Sequence, residues 1–123
     1  RKDGNATPII RTDTNLHRAG ANFYWGPAVH FNTDLGMYVM LLNHSKNTAW
    51  EQEGVYVSFN KDITDPTGWT PPKLMHTPQT PVSWYPQVMG TAKGETDKRA
   101  GKGARFVERG ESPFEINFKK PAP

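Results

Sequence analysis

A short signature, Trp-x-Pro-x-Val, occurs twice in the chain, as Trp25-Gly26-Pro27-Ala28-Val29 and Trp84-Tyr85-Pro86-Gln87-Val88, 59 positions apart. Each copy leads into residues of strand character. Proline fixes φ and has no N–H to donate, so within sheets it belongs at the first residue of a strand or on an edge. Self-similarity at a fixed spacing means that one supersecondary unit is used more than once, and that each unit buries its apolar face against a neighbour. A chain of this kind stacks sheets.

The residues after each signature support that reading. Ala28-Val29-His30-Phe31 is followed by turn residues 32–36 and then by residues 37–42, which predicts a hairpin. Residues 37–42 are apolar at both parities, the pattern of a strand covered on both faces. A polar loop over residues 44–53 leads to Gly54-Val55-Tyr56-Val57-Ser58-Phe59, which alternates and is rich in β-branched and aromatic side chains. Turn chemistry over residues 62–69 then gives way to residues 72–76, a short edge strand that tolerates Pro72.

Four antiparallel strands therefore complete a first unit over residues 23–80. The second, residues 81–123, repeats the order at residues 86–90, 103–108 and 113–118 and lacks a fourth strand. Residues 1–22 are polar and turn-rich, a lead-in segment in which only Ile9-Ile10 has strand character. The charged stretch 93–109 mixes signs and reads as a solvated hairpin loop. The expected fold class is all-β, with antiparallel four-stranded blades of a β-propeller, about two blades being present. The competing architecture is an ordinary antiparallel sandwich or meander.

Bulk properties narrow the function classes. Eleven glycines and eleven prolines in 123 residues suit many short elements joined by turns. The absence of cysteine excludes disulfides and thiolate metal sites. Fifteen basic residues are scattered among twelve acidic ones, so the net charge of +3 forms no one-sided stripe for nucleic acid. No apolar run approaches the ~20 residues that span a bilayer. A first residue of Arg1 suggests a processed product or a piece of a longer protein.

Residues 23–118 resemble the five-bladed β-propeller glycosidase-like domains, the superfamily of glycoside hydrolase families 43, 32 and 62. The resemblance is carried by residues 25–32, 38–43, 53–58 and 84–88, with Thr96-Asp97-Lys98 and Ala104-Arg105-Phe106 similar to sequences near the end of such domains. Ser58-x-x-x-Asp62 followed by Trp69 is similar to the serine, aspartate and tryptophan that close blade strands in these glycosidases. Its expected role is structural. The implied setting is extracellular or periplasmic. A complete five-bladed domain needs at least about twice this length, so the remaining blades would come from the same chain, from another, or from self-association through uncovered apolar blade faces.

The resemblance implies poly- or oligosaccharide as the partner, bound and in a full-length protein hydrolysed; the alternative is a non-catalytic carbohydrate-binding or interaction propeller, and a third reading is a basic nucleic-acid-binding β domain. Hydrolysis needs two carboxyl groups, and the expected innermost strands, residues 27–31 and 86–90, contain neither Asp nor Glu. They offer His30, as a channel-facing donor or ligand to a channel-bound ion, and Gln87, as a donor to a sugar hydroxyl. Glu53-Gly54 is similar to the pair carrying the general acid in family 43, which makes Glu53 the candidate catalytic residue. In a four-stranded blade the loop over residues 44–53 shares a face with residues 17–26 and 77–86. That collects Trp25, Trp50, Trp84 and Tyr85 together with Glu51 and Glu53 into one expected saccharide cleft, where aromatic faces stack on sugar C–H groups. The four histidines have no metal-ligand spacing, and no resident metal or cofactor is expected apart from the channel ion. Asn5-Ala6-Thr7 and Asn43-His44-Ser45 are N-glycosylation sequons in a eukaryotic setting.

Overall fold

The computed structural model describes residues 8–10, 22–45, 49–78, 80 and 82–120. Most of the lead-in segment and the Asn5 sequon lie outside these residues. Ile9 and Ile10 form a bend. Among the described residues the fold is all-β without a helix, its sheets are mostly antiparallel, and one is curled as a half-barrel. No helix among them is long and apolar enough to cross a membrane.

The first sheet is a meander of β1 (Phe23–Asn32), β2 (Met37–Ser45), β3 (Gln52–Asn60) and β4 (Lys73–His76), close to the four strands expected from the sequence. The second contains β5 (Gln87–Gly90), β7 (Gly103–Glu108) and β8 (Glu111–Asn117), in the order β5-β7-β8. Between them β6 (Arg99–Ala100) returns to the first sheet and pairs parallel with β1 at Phe31 and Asn32.

This last pairing corrects the expectation of a solvated loop over residues 93–109. Ala100 is fully buried, Arg99 lies over the Phe31 ring, and the N–H groups of Phe31 and Thr33 donate to Lys98 and Ala100 carbonyls at 2.9 Å. The charged residues hid a strand too short to have a period.

The two sheets pack face to face. Side chains alternate between faces along a strand, and the inward row of β2, Val39 and Leu41, meets Val55 of β3 and, from the other side, Val88, Ala104, Phe106 and Phe118. Leu41 and Phe106 are completely buried, and each such side chain contributes roughly 1.5–3 kcal/mol. Val39 to Leu42 are buried, as the two-sided apolar pattern of residues 37–42 predicts, and burial continues through the polar Asn43, His44 and Ser45, which that pattern did not include.

The outward faces differ. By register, Val29, Phe31, Tyr38, Met40, Leu42 and Tyr56 share the outer face of the first sheet. On the second sheet, Arg105 faces outward, bridged to Glu115 at 3.5 Å and donating to Ser112. Met40 and Leu42 on that first face are themselves buried, so it is not the uncovered apolar blade face expected from the sequence.

The serine-aspartate-tryptophan turn has the expected structural chemistry. Asp62 accepts the Thr64 N–H at 2.9 Å and its hydroxyl at 2.7 Å, and the hydroxyl first, then the N–H, hold this carboxyl below its ordinary range. Ser58 donates to the Thr70 carbonyl at 2.5 Å, and Trp69 is half-buried.

Candidate functional site

Trp25 lies on the inward row of the first sheet, level with Asn43, and its indole N–H donates to Ser45 Oγ at 2.9 Å. The β1–β2 register breaks between Trp25 and Ala28, where Gly26 adopts φ 64° and Pro27 follows. A Cβ on Gly26 would stand 3.3 Å from Asn43 Oδ1 and 3.5 Å from the Tyr85 ring. Glycine at this bulge lets the second copy of the signature approach the first. Asn43 Oδ1 accepts the Tyr85 N–H at 2.9 Å, and the Trp84 indole N–H donates to the Trp50 carbonyl at 3.1 Å.

These bonds gather the aromatic side chains foreseen from the sequence. Trp25 is the hub, with ring centroids 5.7 Å from Trp50, 5.9 Å from Trp84 and 5.7 Å from Tyr85, all edge-to-face. With Ala49 the four line a cleft of about 410 Å³. Trp50 is 45% and Tyr85 65% exposed, so both present ring surface to solvent. Both also have φ 60°, the left-handed region. A bulky residue held there costs on the order of 1–3 kcal/mol and persists only where its surroundings impose it.

Glu53 takes a different position. The β2–β3 register shifts between His44 and Ser45, leaving Glu53 as the extra residue of a bulge between Gln52 and Gly54. It pairs there with Nδ1 of His44 and accepts the Tyr56 hydroxyl at 3.2 Å, while Nε2 of His44 meets Asn22 Oδ1 at 2.8 Å. Tyr24 packs at a tilt against His44, with ring centroids 4.8 Å apart. Burial first, then the negative charge of Glu53, raise the Tyr24 and Tyr56 phenols above their ordinary range. Tyr24 and His44 alternate with Trp25 and Ser45, which turns this polar cluster toward the opposite face from the aromatic cleft. The structure thus separates Glu53 from Trp25, Trp50, Trp84 and Tyr85.

His30 and Gln87 do not join the cleft either. His30 is 2% exposed, packs at a tilt against Phe118 with ring centroids 5.3 Å apart, and burial lowers its pKa to about 4. Instead of lining an open channel, it stands in the core between the sheets. Among the described residues no three His, Cys, Asp or Glu side chains converge as a metal site. Gln87 is half-buried on β5, opposite Val107.

Sequence reasoning missed Asn43 and Ser45, which hold the cleft together. Both are fully buried, and the Asn43 Nδ2 group has no hydrogen-bond partner. The signal was present: polar residues at positions 43 and 45 continue the inward row of positions 39 and 41. Burial also removes Asn43 as a glycosylation acceptor. Comparison with protein-family models, curated proteins and solved structures gave no match.

Proposed function

We propose that this chain is a saccharide-binding part of a glycosidase-like β-propeller, with the Trp25–Trp50–Trp84–Tyr85 cleft as its ligand site. The observation that carries the reading is the convergence of four aromatic side chains from three separate segments, two of them exposed and held at φ 60°. Exposed, fixed rings present flat apolar surfaces to the C–H faces of sugars. The Nδ2 group of Asn43, whose Oδ1 holds the Tyr85 N–H, is buried without a protein partner, a place for an ordered water behind the cleft.

The propeller architecture is part of the proposal. Face-to-face packing of a four-strand meander on a second antiparallel sheet suits neighbouring blades, and the two signature copies meet at Trp25 and Trp84. Glu53 lies with His44 and Tyr56 on the opposite face, so the cleft is read as binding sugars, and hydrolysis would belong to a longer protein.

A glycan array tests this with the wild-type chain and a W50A/Y85A variant. Selective binding by the wild type that the variant loses supports the reading. Equal signals from both proteins, or none on any glycan, would refute it.

A further inference from the structure

β4 and β8 are the end strands of their sheets, and among the described residues no ladder joins them. At one end His76 of β4 bridges them, its ring edge-to-face with Phe114 at a centroid distance of 5.0 Å. At the other end a cleft of about 370 Å³ opens, lined on the first sheet by Val57, Phe59 and Met75 and on the second by Ile116, Phe118 and Lys119. It shares no residue with the aromatic cleft. Val57, Phe59, Met75 and Ile116 pack against the core and are only half-buried, so the protein leaves apolar surface uncovered along this seam.

The β8 bank of the seam is a strand with unused backbone groups. Glu115 and Asn117 are exposed. Phe118 donates its N–H to the Lys102 carbonyl at 2.7 Å, so its backbone is turned toward β7. In an antiparallel pair, residues alternate between those bonded to the neighbour and those turned away from it. Asn117 lies opposite Gly103 and Glu115 opposite Arg105, so the N–H and C=O of Glu115 and Asn117 point out along the free edge. Charge on the two banks is one-sided. Lys119 is exposed on one and Lys73, level with Val57, is exposed on the other, and neither has an ion-pair partner among the described residues. Glu115 is already bridged to Arg105 at 3.5 Å.

We infer that the seam between β4 and β8 is a docking groove for an extended acidic segment of another polypeptide, which adds to β8 as the fourth strand of the second sheet. Main-chain bonds to Glu115 and Asn117 supply affinity, and alternate side chains supply specificity. Apolar residues of the segment fall level with Ile116 and Phe118 and cover Val57, Phe59 and Met75, while acidic residues fall level with Asn117 and Lys119. Lys73 and Lys119 favour carboxylates and repel a basic strand. The groove stands apart from the saccharide reading and does not depend on it.

Titration of the full chain, followed by nuclear magnetic resonance, tests this with a blocked heptapeptide that alternates valine and glutamate. Its valine–lysine counterpart is one control. The other carries methyl groups on the glutamate backbone nitrogens, which face β8 in this pairing. The glutamate peptide is expected to bind saturably and at least about tenfold tighter than either control, a difference of ~1.4 kcal/mol, and to slow hydrogen exchange at the Glu115 and Asn117 amides. N117P removes an N–H that β7 does not use, so it should abolish binding with unchanged circular dichroism, and K119E should shift the preference toward the lysine peptide. No binding, or equal affinity for the glutamate and lysine peptides, would overturn the acidic segment. Binding that backbone methylation leaves intact would overturn strand addition, whether or not N117P folds. Self-association of the wild type alone in sedimentation velocity, abolished by N117P, would give the edge to a second copy and overturn the proposal as well.

Discussion

Asn43 accepts the backbone N–H of Tyr85 at 2.9 Å, a bond between the middle of the first sheet and the segment entering the second, across 42 residues of chain. Asn43 is fully buried, so its side chain is a fixed reference against which the exposed Tyr85 is placed. Replacing it with alanine strands the Tyr85 N–H and frees the left-handed turn. N43A is expected to lose about 1–3 kcal/mol in urea denaturation and to weaken saccharide binding as well. Full stability with full affinity would show that the bond positions nothing.

At Tyr85 two effects oppose each other. Truncation removes an edge-to-face contact worth about 0.5–1.5 kcal/mol, while glycine relieves a left-handed backbone that costs other residues about 1–2 kcal/mol. Y85G should therefore be more stable than Y85A by about 1 kcal/mol, although both lose the cleft. Denaturant midpoints of the two variants decide it, and a more stable Y85A would mean that the backbone is not strained.

Stability should fall in mild acid because of His30. Its pKa is 6.5 ordinarily and about 4 in the fold, where burial disfavours the charged ring. Between those values the unfolded chain binds more protons than the folded one, so the contribution is complete above pH 6.5 and is lost as pH drops toward 4. The full loss approaches about 3 kcal/mol. H30Q should flatten that part of the curve, and an unchanged slope would mean that another group is responsible.

Gly90 is a close-approach position. A Cβ there would lie 2.4 Å from the Glu95 Cβ and 2.7 Å from the Arg99 carbonyl oxygen, so the loop carrying β6 would have to move. G90A is expected to cost about 1–3 kcal/mol and to speed hydrogen exchange at Phe31 and Thr33, whose N–H groups that loop accepts. Slow exchange at both in the variant would show that β6 pairs independently of Gly90.

Much of the fold was legible because strand periodicity and turn residues are local. Residues 37–42 announced a doubly covered strand, and the repeated signature located both sheet beginnings. The aromatic cleft followed from topology, since loops at the same end of a meander share a face. What escaped was set by register and by short pairing. The bulge at Glu53 re-aims one side chain in a way that no alternation pattern marks, and the two residues of β6 leave no period to read. His30 looked accessible because an innermost strand was expected to line a channel; instead, Phe118, just after β8, packs against it.

The central claim is that the aromatic cleft binds sugar, and intrinsic tryptophan fluorescence tests it most directly, because Trp25, Trp50 and Trp84 all line it. Titration with the oligosaccharide selected on the array should give a saturable change in emission in the wild type that W50A/Y85A does not show. No change in the wild type, or an equal one in the variant, would contradict the account.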